Sequence, residues 1–131
     1  MFDKLSHIGI AVFSLEEALK FYRDKLGLTV AKIETVESEG VRVAMLPIGE
    51  SRIELLEPLN EKSPLHKFLE KRGEGIHHVA FQTPNLKKEV SEKGLSILGD
   101  IRAGADDMLI SFIHPKQAHG ALLELCQKAN P

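Results

Sequence analysis

His7-Ile8-Gly9-Ile10-Ala11-Val12 is echoed later in the chain by His78-Val79-Ala80-Phe81-Gln82-Thr83. Arg52-Ile53-Glu54-Leu55-Leu56 follows the first stretch, and Leu122-Leu123-Glu124-Leu125-Cys126 follows the second. The histidines stand 71 positions apart and the glutamates 70. Within each stretch apolar residues alternate, as in strands whose side chains point to opposite faces. A module that occurs twice, with one strand His and one strand Glu per copy, can bring two imidazoles and two carboxylates to one point. That is a ligand set for a divalent metal.

The first copy reads β-α-β-β-β. Leu5 to Val12 is a strand. Ser14 is an N-cap, with Glu17 completing a capping box. Leu15, Ala18, Leu19, Tyr22 and Leu26 recur at helical spacing, and Gly27 ends the helix. Strands follow over Leu28 to Val36, Val41 to Pro47 and Arg52 to Glu57, with a turn at Glu37 to Gly40. Pro58 to Gly75 is a linker with a short helix that starts at Ser63 and Pro64. The second copy repeats the order: a strand over His77 to Thr83, a helix over Pro84 to Lys93 about one turn shorter than the first, and strands over Leu95 to Leu98, Met108 to His114 and Ala121 to Gln127. Gly99 to Asp107 reads as a mobile loop. The fold class is therefore α+β: tandem βαβββ modules in one domain over residues 1–131, with module 1 over about 1–58, the linker over 59–75 and module 2 over about 76–131.

Composition narrows the function. The chain has 131 residues, 43% of them hydrophobic and 27% charged, as expected of one globular domain. A net charge of −2 gives no basic footprint for nucleic acid. No apolar run approaches the roughly 18 residues of a membrane span, and no signal peptide is evident. One cysteine allows no internal disulfide and suits a reducing cytoplasm.

Strand parity sorts the candidate residues. Ile8, Ile10 and Val12, with Val79 and Phe81, give each His strand a bulky face directed at the helices. The His face is small or polar, with Gly9, Ala11, Ala80 and Gln82, which leaves room for a ligand. Ile53, Leu55, Leu123 and Leu125 flank the glutamates on the opposite face. A lone strand His is ordinarily a structural hydrogen-bonding residue, and a strand Glu ordinarily sits on a wet face. Repetition of both at matching positions favours a shared metal site. By parity His77 faces the helix side. His66 is solvated on the linker helix, His114 and His119 flank a loop, and Cys126 is a small core or cavity-wall residue. Lys116, Arg102 and the Lys87-Lys88 pair are candidate anion contacts, although solvated side chains are the ordinary expectation for each alone.

Several motifs together resemble one family. They are His7-Ile8-Gly9-Ile10-Ala11-Val12; Ala18-Leu19-Lys20-Phe21-Tyr22 with Leu26-Gly27-Leu28; Glu39-Gly40-Val41-Arg42-Val43-Ala44; Glu54-Leu55-Leu56-Glu57-Pro58-Leu59; Gly75-Ile76-His77-His78-Val79-Ala80-Phe81; and His114-Pro115-Lys116 with Gly120-Ala121-Leu122-Leu123-Glu124-Leu125-Cys126-Gln127. The chain resembles the vicinal oxygen chelate (glyoxalase/bleomycin resistance/dioxygenase) superfamily and, within it, the methylmalonyl-CoA epimerases.

The resemblance implies a cupped eight-stranded mixed sheet around one divalent ion per chain, with His7, Glu54, His78 and Glu124 as ligands. It also implies a homodimer and an acyl-CoA substrate. Co²⁺ is the metal expected first, and Zn²⁺, Ni²⁺ and Mn²⁺ fit the same donors. The implied reaction removes the α-proton on one face and returns it on the other through a metal-stabilised enolate, with Glu124 and Glu54 as the acid/base pair. Where some family members carry a further carboxylate, this chain has Val43, so the second base has to come from the repeat itself. Gly104-Ala105-Asp106-Asp107 carries aspartates where members often have glycines. Glyoxalase I, with the same four-residue shell, is the alternative enzyme. A non-catalytic ligand-binding protein of the superfamily is the alternative of another class. An extradiol dioxygenase is disfavoured by the extra Glu54.

Overall fold

The computed structural model describes residues 1–129. Eight strands form one mixed sheet: β1 (Lys4–Ala11), β2 (Lys32–Val36), β3 (Val41–Ile48), β4 (Ser51–Pro58), β5 (Gly75–Gln82), β6 (Ile97–Ala103), β7 (Met108–Ile113) and β8 (Leu123–Lys128). Their order is β2-β3-β4-β1-β5-β8-β7-β6. Each module pairs its first and last strands in parallel, β1 with β4 and β5 with β8, and the two copies join along an antiparallel β1–β5 seam. That seam sets the two duplicated histidine strands side by side.

The helices are α1 (Leu15–Leu19), α2 (Pro64–Arg72) and α3 (Leu86–Lys93). α1 continues as a π-helical segment over Lys20–Lys25, and Gly27, at φ 86°, follows its end. Ser14 accepts from the Glu17 amide as the expected N-cap. The Glu17 carboxylate accepts from Lys20. Each copy also locks its helix start to its last strand: the Leu15 N–H donates to Glu57 Oε2 at 2.7 Å, and the Leu86 N–H donates to Gln127 Oε1 at 2.7 Å. These contacts satisfy amides that a helix N-terminus leaves open, and they occupy matching places in the two modules.

The convex face is packed as strand parity requires. Ile10, Val12, Ala44, Leu46, Ile53 and Leu55 meet Leu15 and Leu19. Phe81, Ile113, Leu123 and Leu125 meet Leu86 and Val90. On the concave side Ala11, Val43, Met45 and Leu56 pack with Leu65 and Leu69 of α2, which therefore roofs part of the cup. Ala80, Met108, Ile110 and Cys126 line the other half.

Three expectations need correction. The second strand begins at Lys32, four residues late. Gly99 to Asp107 is not one loop, because β6 runs on to Ala103 through a bulge between Leu98 and Arg102. Gly99 makes the bulge possible at φ 71°. A short 3₁₀ turn over Ala105–Asp107 follows, with Asp106 and Asp107 at φ 56° and 54°. Aspartate tolerates the left-handed region better than most side chains. The Asp106 amide is tied to Glu34 of β2, which anchors this turn to module 1. Thirdly, His77 does not face the convex helices. The register steps from Gly9↔His78 to Ile10↔Ile76, so His77 is the extra residue of a bulge, and the bulge turns it into the cup.

Leu55 and Leu125 are both fully buried at matching positions. We expect Leu55→Ala and Leu125→Ala each to cost about 2–5 kcal/mol. The half-exposed Ile48→Ala should stay within about 0.5 kcal/mol of the parent. Urea unfolding midpoints check this, and a loss under about 1 kcal/mol at either leucine would contradict the packing described.

Candidate metal centre

Four buried polar residues meet at the β1–β5 seam: His7, Glu54, His78 and Glu124. The parallel pairings place them, since Gly9 lies beside Glu54 and Ala80 beside Glu124. The imidazoles approach through their Nε2 atoms at 3.1 Å. Glu124 reaches both, with Oε2 3.2 Å from His7 Nε2 and Oε1 3.6 Å from His78 Nε2. Donor atoms of His7, His78 and Glu124 lie within 4.8 Å of one another, as a shared cation requires. Glu54 stands beside this trio. Its Oε2 is 3.4 Å from the other His7 nitrogen, Nδ1, and accepts from Arg52.

The residue before each histidine holds it from behind. Ser6 Oγ lies 2.9 Å from His7 Nδ1, and His77 Nδ1 lies 2.9 Å from His78 Nδ1. Both holding residues sit at bulges of the seam, Ser6 being the extra residue between the pairs Leu5↔Phe81 and His7↔Ala80. With Nδ1 engaged outward, Nε2 is the atom each ring offers to the centre. Phe112 packs edge-on against His78, and Phe68 of α2 against His77.

The electrostatics suit a cation. Burial drives the His78 pKa well below its ordinary value, with neighbouring His7 and His77 adding to the effect. Burial, with Arg72 nearby, lowers His77 to about 4. Metal ligation needs neutral imidazoles with a free lone pair. Burial also raises the Glu124 pKa, against the opposing hydrogen bond from His7. Removing water from a carboxylate favours whatever positive partner can replace it. Gly9 completes the cradle: a Cβ there would overlap the imidazole ring of His78.

Above the donors lies a cavity of about 410 Å³ whose walls include Val43, Leu56, Leu65, Ile110 and Leu122. It is large enough for a small acyl group. At its edge Arg102 makes a two-pronged ion pair with Glu39, at 2.8 and 2.9 Å, that ties the modules together. The β6 bulge delivers Arg102 to this place. The other proposed anion contacts lie elsewhere: Lys87 and Lys88 are exposed on α3, and Lys116 is exposed in the turn after β7. His114 accepts from the Lys116 amide, His66 is half-buried near Glu70, and His119 is exposed. Cys126 is buried in the concave wall, its thiol pushed up to about 11 by burial. Sequence reading missed a basic groove, flanked by Lys67, Lys71 and Arg72, that shares His77 and Leu122 with the cavity. Its lysines have helical spacing, but only the fold shows that they border the cup.

Comparison with known proteins agrees with this layout. The model of the Glyoxalase/Bleomycin resistance protein/Dioxygenase superfamily matches residues 6–112. An uncharacterized protein of Bacillus subtilis is 43% identical, over 95% of this chain and 92% of its own. The ethylmalonyl-CoA/methylmalonyl-CoA epimerase of Cereibacter sphaeroides is 37% identical, over 97% of this chain and 99% of its own. A variant of Streptomyces coelicolor methylmalonyl-CoA epimerase, solved in complex with 2-nitronate-propionyl-CoA, is 40% identical with a TM-score of 0.92, covering 99% of this chain and 97% of that one.

The cradle generates a prediction. Gly9→Ala drives a methyl group into the His78 ring and should weaken Co²⁺ binding by at least about tenfold. Ala80 faces His7 at the matching position and already carries a Cβ, so Ala80→Gly should leave the affinity close to that of the parent. Chelator-competition titrations decide, and an unaltered Gly9→Ala affinity would contradict the cradle.

Proposed function

The chain belongs to the methylmalonyl-CoA epimerase family of the glyoxalase/bleomycin resistance protein/dioxygenase superfamily, and on that premise we propose that it interconverts the (R) and (S) forms of methylmalonyl-CoA. The observation that carries this reading is the convergence of two Nε2 atoms and one buried carboxylate beneath a cavity with apolar walls.

The α-carbon of the substrate lies between a thioester carbonyl and a carboxylate. Its proton is acidic enough to remove only when the oxygen that gains charge is stabilised. A divalent ion held by His7, His78 and Glu124, with Glu54 as fourth ligand, supplies Lewis-acid stabilisation of that oxygen when bound. The rest falls to the chain's own residues. The apolar walls exclude water from the reacting carbon, which strengthens every charge interaction there. One glutamate takes the α-proton, and an acid on the opposite face returns one. Glu124 suits the first role, because its buried carboxylate meets both histidines in the lining of the cavity. Glu54 is the carboxylate left for the other face. Val43 lines the cavity and has no proton to give.

Co²⁺ is the proposed ion, and Zn²⁺, Ni²⁺ and Mn²⁺ are compatible with the same donors. A homodimer in the cytoplasm is part of this reading. Phe13 and Ile76, 62% and 65% exposed, are apolar groups that a subunit contact would cover. The free, buried Cys126 suits a reducing compartment.

Co²⁺-loaded protein given a single epimer in deuterated water should form both epimers with solvent deuterium at the α-carbon, as read by NMR. Glu124→Gln should slow this by about 10²–10⁴-fold, with bound metal measured in the same sample. Turnover of a glutathione hemithioacetal alone would establish the glyoxalase I alternative. Binding of acyl-CoA without exchange would establish a non-catalytic binding protein.

A further inference from the structure

The two glutamates occupy matching positions but have different surroundings. Arg52 stands two residues before Glu54 on the same strand face, and its Cα pairs with that of His7. The residue two before Glu124 is Leu122, an apolar part of the cavity wall. The Arg52 side chain is largely covered, at 19% exposure. Both of its forward donors fall on one oxygen: Nε lies 2.8 Å and Nη2 2.6 Å from Glu54 Oε2. The same oxygen is the one that lies 3.4 Å from His7 Nδ1. Glu124, by contrast, pairs with the histidines among the described residues, and it meets His7 at Nε2. The His7 ring therefore lies between the two carboxylates, one at its outer nitrogen and one at its inner nitrogen.

We propose that Arg52 is a positioning residue that anchors Glu54 through Oε2 and so makes the two glutamates of the duplicated centre inequivalent. A guanidinium with two donors on one oxygen fixes that oxygen and holds the carboxylate against rotation. Glu54 Oε1 is then the oxygen left for the centre, while Oε2 supports His7 from behind together with Ser6. Among the described residues no guanidinium pairs with Glu124, and both of its oxygens lie on the donor side. Ligand-holding contacts of this kind act on metal affinity as well as on turnover.

The metal readout of the test is independent of the epimerase reading, and only the kinetic readout rests on it. Arg52→Leu, which copies Leu122, and Arg52→Lys are made in the parent and in a Glu54→Gln background. Co²⁺ affinity is measured by chelator competition, and the visible absorption of bound Co²⁺ is recorded. We expect Arg52→Leu to weaken Co²⁺ binding by about 10–100-fold and to change the absorption bands. Arg52→Lys should recover part of the loss, and Arg52→Leu should add little in the Glu54→Gln background. If Arg52→Leu does not fold, Arg52→Gln enters the same cycle. Unchanged affinity and bands, or an equal loss with and without Glu54, would overturn the assignment. A parent chain that shows this Co²⁺ pattern yet fails to epimerise methylmalonyl-CoA would sink the functional reading and leave the role of Arg52 standing.

Discussion

The structure depends on satisfying four buried polar side chains at the seam between two halves. His7, Glu54, His78 and Glu124 are all at most 5% exposed. An unpaired carboxylate or imidazole at that depth costs several kcal/mol, so the surroundings must answer each one. They do so in layers. The donor atoms face one another, Ser6 and His77 engage the outer histidine nitrogens, and Arg52 engages Glu54. A metal ion would answer what remains, the inward lone pairs and the Glu124 carboxylate. The bulges at Ser6 and His77 serve the same end. Each places two consecutive side chains on the concave side, which a regular strand does not allow.

Duplication explains the framework, and departures from it give the site its direction. The helix locks at Leu15–Glu57 and Leu86–Gln127 repeat, as do the buried Leu55 and Leu125. Around the donors the repeat breaks. Gly9 faces His78 where Ala80 faces His7, a hydroxyl holds one imidazole where a second imidazole holds the other, and Arg52 stands where Leu122 stands in the other copy. A symmetric substrate site would treat both faces of a reacting carbon alike. Methylmalonyl-CoA is not symmetric, since a thioester and a carboxylate flank its α-carbon, and the site that would hold it is unequal at three matched pairs.

Much of this was legible in the sequence. Alternation separates the core-facing from the cavity-facing residues of β1, β4 and β8, and the duplicated spacing directs two histidines and two glutamates toward one point. His77 is the residue that strand parity misreads. Parity assumes a regular strand, and a bulge inverts it locally. That is why His77 enters the cup, and a second bulge at Gly99, in a stretch the sequence reads as a loop, extends β6 and delivers Arg102 to the cavity. Period two sets Arg52 and Glu54 on one face of β4, but the sequence does not show that the guanidinium turns along its own strand onto that carboxylate. The basic groove beside α2 needed the linker helix to be placed over the cup. Sequence alone gives that helix its caps but not its position.

Each copy supplies half of one metal centre, and neither half suffices alone. Metal stoichiometry tests it most directly, measured by native mass spectrometry of Co²⁺-loaded protein for the parent, His7→Ala and His78→Ala. We expect one ion per chain in the parent and loss of that ion when either histidine is removed. Two ions per chain, or an ion retained in full by either variant, would contradict it.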